Sequence, residues 1–148
     1  MEDSQIKKEI LRILASQQLG VLATYGDEYP YTTIVAYAVA DDLKSVLFAT
    51  IRSTQKYANI QNNPNISMLF DNRSNRAMDF SNAQALTLLG KATEILDDEK
   101  SKYMTIYLQR HPYLKDFAMN PDCALMKIQS RKYILVRRFQ EVIEFEVS

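Results

Sequence analysis

Short apolar segments rich in β-branched residues, most of them separated by brief turns, run through this chain and call for a sheet that folds back on itself. Residues 20–24, Gly-Val-Leu-Ala-Thr, are the first such segment. Tyr25-Gly26-Asp27-Glu28 follows as a turn, with Gly26 free to take positive φ. Residues 31–40 and 45–51 read as the second and third strands, with Asp41-Asp42-Leu43-Lys44 as the hairpin turn between them. Residues 65–71 alternate, placing Ile66, Met68 and Phe70 on one face. Residues 85–96, 124–139 and 141–147 bring the tally to six or seven strands. Short connections favour antiparallel neighbours, so the pattern predicts a mainly β (α+β) chain built as an antiparallel barrel with flanking helices rather than a doubly wound sheet. Leu22, Val35, Leu47, Leu69, Leu88 and Val136 are the expected core positions on these strands.

Three helices punctuate the strands. Ile6, Ile10, Ile13 and Leu14 recur at helical spacing, and Asp3 or Ser4 can cap that first segment. Residues 54–63 read as a second helix, stopped by Pro64. Residues 97–110 read as a third, capped by Asp97 or Asp98, with Tyr103, Ile106 and Tyr107 on its apolar side. Residues 72–82 are polar and irregular, and residues 111–122 are a loop or broken helix holding two prolines. The segment Leu19-Gly20-Val21-Leu22-Ala23-Thr24 is apolar on both faces, so both faces are expected to be covered, and the surplus apolar surface points to a dimer.

Composition excludes several function classes. The 148 residues match one ordinary domain, read here as 1–148. Lys plus Arg equals Asp plus Glu at 18 each, so no net positive field attracts nucleic acid or an anionic membrane. A lone cysteine, Cys123, forbids an intrachain disulfide and fits a reducing compartment. The charged residues 1–8 lack an apolar signal core, and no stretch approaches the roughly 18 apolar residues of a membrane span, so the expected location is the cytoplasm. One His and one Cys do not make the usual metal ligand sets. A Ser-His-Asp site would have to recruit His111, and no nucleophile elbow accompanies it, so a structural role is expected for that residue. Asp97-Asp98-Glu99 fits a capping device at a helix start better than a paired acid and base.

The densest chemistry is Thr50-Ile51-Arg52-Ser53-Thr54-Gln55-Lys56, where a strand ends and a helix begins. A helix N-terminus exposes unpaired N–H groups and partial positive charge, which suits a phosphate. Arg52 can bind phosphate oxygens bidentately, Lys56 adds a point charge, and Ser53 and Thr54 offer hydroxyls. The same spacing also fits an ordinary N-cap at Ser53 or Thr54 with solvated bases around it. Asp71-Asn72-Arg73-Ser74-Asn75-Arg76 is a second polar cluster and reads as a turn.

From Arg52 to Phe70 the order of residues resembles the FMN-binding split-barrel proteins, the pyridoxamine 5'-phosphate oxidase-like family. The resemblance rests on Lys56 followed by Asn62-Asn63-Pro64-Asn65-Ile66-Ser67-Met68-Leu69-Phe70, on Pro30-Tyr31-Thr32-Thr33-Ile34-Val35, and on Leu88-Leu89-Gly90-Lys91-Ala92. It runs from about Leu11 to Phe139. It implies a six-stranded antiparallel split β-barrel, a homodimer, and FMN sites built from both subunits. By position, Lys56 and Thr54 would hold the FMN phosphate, with Ser53 and Arg52 nearby. Thr33, Ile34 and Val35 would border the ring together with Ala49 and Thr50, and Gln84 falls one register away from the family's flavin-contacting glutamine. Thr33 and Ala38 replace the arginine and lysine that the oxidase carries on its ring-facing strand, and Gln55 replaces the arginine before its lysine. Arg138-Phe139-Gln140-Glu141 has no counterpart of the arginine and histidine that grip the oxidase's substrate. The expectation is therefore a flavin-dependent oxidoreductase whose substrate is not pyridoxamine phosphate. The alternatives are a flavin-binding or electron-transfer protein without turnover, or a relative that takes haem or a deazaflavin. Haem would need an axial ligand from His111, Cys123, a Met or a Tyr.

Overall fold

The computed structural model describes residues 2–96, 98–138 and 140–147. Seven strands appear in order: β1 (Leu19–Tyr25), β2 (Pro30–Ala40), β3 (Ser45–Ile51), β4 (Asn65–Asp71), β5 (Gln84–Glu94), β6 (Cys123–Arg137) and β7 (Glu141–Glu146). Every pairing is antiparallel, the spatial order is β3-β2-β1-β4-β5-β6-β7, and a β3–β6 pairing closes the first six into a barrel. Around it lie α1 (Asp3–Ser16), α2 (Gln55–Asn62), α3 (Asp79–Asn82), α4 (Asp98–Arg110) and α5 (Lys115–Ala118), with a 3-10 turn at Pro112–Leu114. This is the split barrel with flanking helices that the strand pattern predicts, with β7 as an added strand. Among the described residues no helix is long and apolar enough to cross a membrane.

The period-two alternation fills the barrel. Leu22 from β1, Ile66, Met68 and Phe70 from β4, Leu86 and Leu88 from β5, and Tyr133 and Leu135 from β6 share one buried cluster. Ile6, Ile10, Ile13 and Leu14 of α1 join it, so the helix plugs the barrel with its apolar stripe. Each such side chain contributes about 1.5–3 kcal/mol relative to exposure. The last turn of a helix leaves carbonyls unpaired. Here Tyr37 donates its hydroxyl to the Leu14 carbonyl at 2.7 Å, and Arg110 donates to the carbonyls of Leu14 and Gln17. A second cluster joins Tyr103, Met104 and Tyr107 of α4 to Ala38, Leu47, Ala49 and Leu125.

The split has a clear origin in register. β2 pairs with β3 only where Tyr37–Ala40 meets Ser45–Phe48, so residues 30–36 of β2 keep one edge free of β3. Residues 49–51 of β3 pair with β6 alone. The long strand β6 divides one edge between two partners, β3 along Cys123–Gln129 and β7 along Lys132–Arg137. Between those halves a bulge faces Leu89/Gly90: Leu89 pairs Lys132 and Gly90 pairs Ser130, leaving Arg131 as the extra residue. A Cβ on Gly90 would lie 2.4 Å from the Gln129 carbonyl oxygen, so the bulge requires glycine there.

Several expectations are corrected. Leu69 is exposed, because the alternation that buries Met68 and Phe70 turns Leu69 outward. Val136 is half-buried for the same reason on β6, whereas Leu22, Val35, Leu47 and Leu88 are buried. In the single chain Leu19 is exposed and Val21 and Ala23 are half-buried, which is the face that the expected dimer would cover. Neither Asp3 nor Ser4 caps α1: the N-cap position is Glu2, without a side-chain cap bond. Gly26 does not take positive φ; its lack of a side chain is needed because a Cβ would lie 2.4 Å from the Tyr29 carbonyl oxygen. Positive φ falls instead on the hairpin turn, at Asp41, Asp42 and Leu43, with no glycine among them. The strand expected over 85–96 ends at Glu94, and the polar stretch 72–82 ends in α3. The Asp97 cap and Phe139 lie outside the described residues.

Candidate functional site

β3 ends at Ile51 and α2 starts at Gln55, so residues 52–54 turn the chain at the rim of the barrel. Thr54 is the N-cap, and its hydroxyl accepts the Tyr57 N–H at 3.4 Å. That hydroxyl lies 3.2 Å from the Thr50 hydroxyl and donates to the Ile51 carbonyl at 2.8 Å. Further along α2, Gln55 donates to the Asn59 side chain at 2.7 Å, and Asn59 in turn donates to the Thr24 hydroxyl at 3.0 Å. The helix start is thereby fixed to β1 through buried polar bonds.

The two cations of this junction have opposite fates. Arg52 is held by Glu94 at the end of β5, at 2.6 Å between Nη2 and Oε2, and it also donates to the Pro121 carbonyl at 2.8 Å. Tyr57 donates its hydroxyl to the same carboxylate at 2.6 Å. The Arg52 hydrogen bond holds the Glu94 carboxyl below its ordinary pKa. Lys56 is half-buried, and among the described residues it has neither an ion pair nor a side-chain hydrogen bond. Burial pushes its ammonium below the usual lysine value, the direction expected of a desolvated cation without a partner.

The structure brings Thr50, Arg52, Ser53, Thr54 and Lys56 into one rim junction, with Ser53 exposed. Thr33, Ile34 and Val35 lie in the part of β2 that β3 leaves, and Ala49 and Thr50 lie in the part of β3 that leaves β2, so both stretches flank the split. Ile34 points outward, while Val35, Ala49 and Thr50 are buried. Gln84 is elsewhere on this chain, at the start of β5, where it pairs with Arg137 and donates its N–H to the Asn72 side chain at 2.6 Å. Sequence reading missed Glu94, Tyr57 and Pro121. Glu94 is 42 residues from Arg52 along the chain, so no local spacing connects the two.

Two groups available as haem ligands are engaged or enclosed. His111 is buried with Nε2 2.6 Å from the Tyr37 carbonyl oxygen, so that nitrogen donates and has no free lone pair for a metal. Cys123 is buried in the cluster beneath α4. Among the described residues no group of three or more His, Cys, Asp and Glu side chains is placed to hold a metal ion.

A family model described as Pyridoxamine 5'-phosphate oxidase matches residues 6–137. No curated protein matches the chain. Among solved structures, a heme binding protein from Mycobacterium smegmatis superposes with a TM-score of 0.83 at 18% identity, over 95% of this chain and 57% of that one. This chain thus spans little more than half of that protein. A protein from Clostridium acetobutylicum related to general stress protein 26, of the pyridoxinephosphate oxidase family, gives 0.76 at 21% identity, over 99% and 97% of the two chains. A FAD-binding protein from Mesorhizobium loti gives 0.70 at 16% identity, over 86% and 91%. At these identities the likeness shows the fold.

Proposed function

The chain belongs to the pyridoxamine 5'-phosphate oxidase family, and on that premise we propose that it binds FMN as a homodimer and works as a flavin-dependent oxidoreductase. The observation that carries this reading is Lys56, a half-buried cation without a partner among the described residues, in the first turn of an eight-residue helix whose cap joins the Thr50 and Thr54 hydroxyls. An unpaired ammonium taken from water costs free energy that a dianionic phosphate offsets. The first-turn N–H groups of α2 add donors and partial positive charge. In this reading Thr33, Ile34, Val35 and Ala49 border the ring across the split, and Arg52 holds α2 against β5 rather than touching the phosphate. A bound flavin supplies the electron transfer, and the chain's part is to bind, orient and shield it.

A second copy is supported by the outer face of the sheet. Ile34, Val21, Leu69, Thr87 and Ile134 are successive cross-strand neighbours on that face. Leu19, Ile34, Leu69 and Val142 are 55%, 65%, 39% and 61% exposed in the single chain. Four of the five are apolar, Thr87 being the exception, and a row of this kind is a natural isologous interface. The cytoplasm remains the proposed location, on the lone buried thiol of Cys123.

The test is fluorescence titration of wild type and Lys56→Ala with FMN and with riboflavin, which has the ring but no phosphate. One charge-assisted hydrogen bond is worth roughly 1.5–3 kcal/mol, so Lys56→Ala is expected to weaken FMN by about 10- to 150-fold and leave riboflavin unchanged. Equal weakening of both ligands overturns the phosphate assignment. A Soret band in the purified protein would favour the haem reading that the Mycobacterium smegmatis likeness raises, and sedimentation of an FMN-loaded monomer at micromolar concentration would remove the dimer.

A further inference from the structure

We propose that Glu94, the last residue of β5, is a positioning residue for the Lys56 junction: it sets the first turn of α2 for an anion by clasping the chain on both sides of Lys56. The inference rests on the phosphate reading above and adds to it a residue that acts through others. The Glu94 carboxylate accepts Arg52 Nη2 at 2.6 Å, Arg52 Nε at 3.3 Å and the Tyr57 hydroxyl at 2.6 Å. Arg52 precedes α2 and Tyr57 directly follows Lys56 within it. The same guanidinium donates to the Pro121 carbonyl at 2.8 Å, and the Arg52 N–H donates to the Asp122 carbonyl at 2.9 Å. One carboxylate therefore ties the turn before α2, and the first turn of α2 itself, to the end of β5. Arg52 carries the tie on to the residues that enter β6.

What the clasp holds is the set of donors an anion would use. The Tyr57 N–H is taken by the Thr54 hydroxyl, and the Ala58 N–H reaches the Thr54 carbonyl at 3.2 Å. The Gln55 and Lys56 N–H groups have no hydrogen-bond partner among the described residues. Together with the Lys56 ammonium they are the donors left at the helix start. Such a set works only when its members are held to within about 0.5 Å of the productive geometry. The Glu94 side chain is 11% exposed, so little water is at hand to replace a partner it loses. Removing its charge has two effects of opposite sign. By Coulomb attraction alone, one negative charge fewer beside a dianion tightens binding. Loss of the clasp loosens the donors and weakens binding. Arg52 is partly exposed, so water screens the charge that would be set free, and the loss of geometry is the larger effect.

The test is the ratio of FMN to riboflavin affinity, from fluorescence titration of the whole protein. A residue that only supports the fold shifts both ligands together or neither. Tyr57→Phe removes one hydroxyl and no charge, and is expected to weaken FMN by about 2- to 5-fold with riboflavin unchanged. Glu94→Gln keeps the shape and loses the charge, and is expected to weaken FMN by about 5- to 10-fold, again with riboflavin unchanged. Adding Arg52→Met to Glu94→Gln is expected to cost FMN at most about another 2-fold, because the clasp is already open. Tighter FMN binding by Glu94→Gln overturns the proposal, since charge then outweighs position. A larger further loss in the double variant overturns it as well, since the freed guanidinium then reaches the phosphate. So does an FMN-to-riboflavin ratio that stays at the wild-type value in both single variants. Lys56→Ala tells the two readings apart. A ratio that collapses in Lys56→Ala but holds in Tyr57→Phe and Glu94→Gln keeps the phosphate site and removes Glu94 from it; a ratio that Lys56→Ala leaves unchanged removes both.

Discussion

The hairpin turn at residues 41–44 and the β3–α2 junction at residues 52–56 are both tight, polar and charged, yet the chain treats them in opposite ways. In the turn, three successive non-glycine residues sit at positive φ, a conformation that costs roughly 1–2 kcal/mol per residue. The chain answers that strain with its own groups. Asp41 accepts the Tyr103 hydroxyl at 2.6 Å and the Ser45 hydroxyl at 2.9 Å, Lys7 pairs with Asp42, and Tyr133 donates to the Leu43 carbonyl at 2.9 Å. Leu43 itself is buried. In the junction Arg52 is answered in the same manner by Glu94, but Lys56 has no such partner among the described residues. A charge satisfied within the chain builds structure; on the proposed reading, the half-buried charge left over is where the phosphate of a ligand would sit.

From that contrast, stability and flavin affinity are expected to separate by region. Leu43→Ala, opening a cavity in the buried turn, is expected to cost about 2–5 kcal/mol in urea denaturation and to leave the FMN dissociation constant unchanged. A weakened FMN constant in the folded variant would break the separation. Glu94→Gln removes the partner of Arg52 and Tyr57 and is expected to cost about 1–2 kcal/mol at neutral pH. The sign of its pH dependence follows from the depressed Glu94 pKa. The carboxylate's contribution is full above the unfolded value near 4.3 and is lost as pH falls through the lower folded value. The gap between wild type and Glu94→Gln should therefore close in acid; a constant gap would mean that the pair contributes through packing.

Tyr103→Phe sharpens the turn side at a smaller scale, with an expected loss of about 1 kcal/mol. The Asp41 hydrogen bond pushes the Tyr103 hydroxyl up to about 12, so its contribution holds below the unfolded value near 10 and disappears as pH rises through about 12. Denaturation of the two proteins from pH 8 to 12 is expected to show the difference shrinking at the alkaline end. The smallest effect belongs to Lys56→Met, which keeps length and removes charge. Its unfolding free energy is expected to stay within about 0.5 kcal/mol of wild type, or to rise. A loss above about 1 kcal/mol would make Lys56 a structural residue.

Local pattern revealed much of this architecture, because the barrel's interior is written in alternation and in helical stripes. β4 announced Ile66, Met68 and Phe70, and α1 announced Ile6, Ile10, Ile13 and Leu14. The same rule read consistently would have turned Leu69 outward. The junction at residues 50–56 was visible as a strand end followed by a helix start, down to Thr54 as a candidate cap. What stayed hidden depends on partners distant in sequence. Arg52 looked like a free phosphate ligand until Glu94 was placed beside it, and no spacing rule reaches across 42 residues. The strained turn was hidden for another reason: positive φ was looked for at Gly26, whereas it falls on Asp41, Asp42 and Leu43, which Lys7, Tyr103 and Tyr133 contact from distant elements.

The divided edge of β6 carries a consequence for how the chain is made. Strands β1 to β4 can zip together as they leave the ribosome, since their partners are close at hand. The second edge of β3 cannot: its partner begins at Cys123, roughly 70 residues after β3 ends. At synthesis rates of about 5–20 residues per second, that edge waits roughly 4–14 s for its mate. β3 is apolar along most of its length and buried from Ser45 to Thr50 once the ring is shut, so for those seconds it is an adhesive strip facing the cell. Closing the ring is then the long-range step that folding must reach, and the nascent barrel is most exposed to chance partners before β6 arrives.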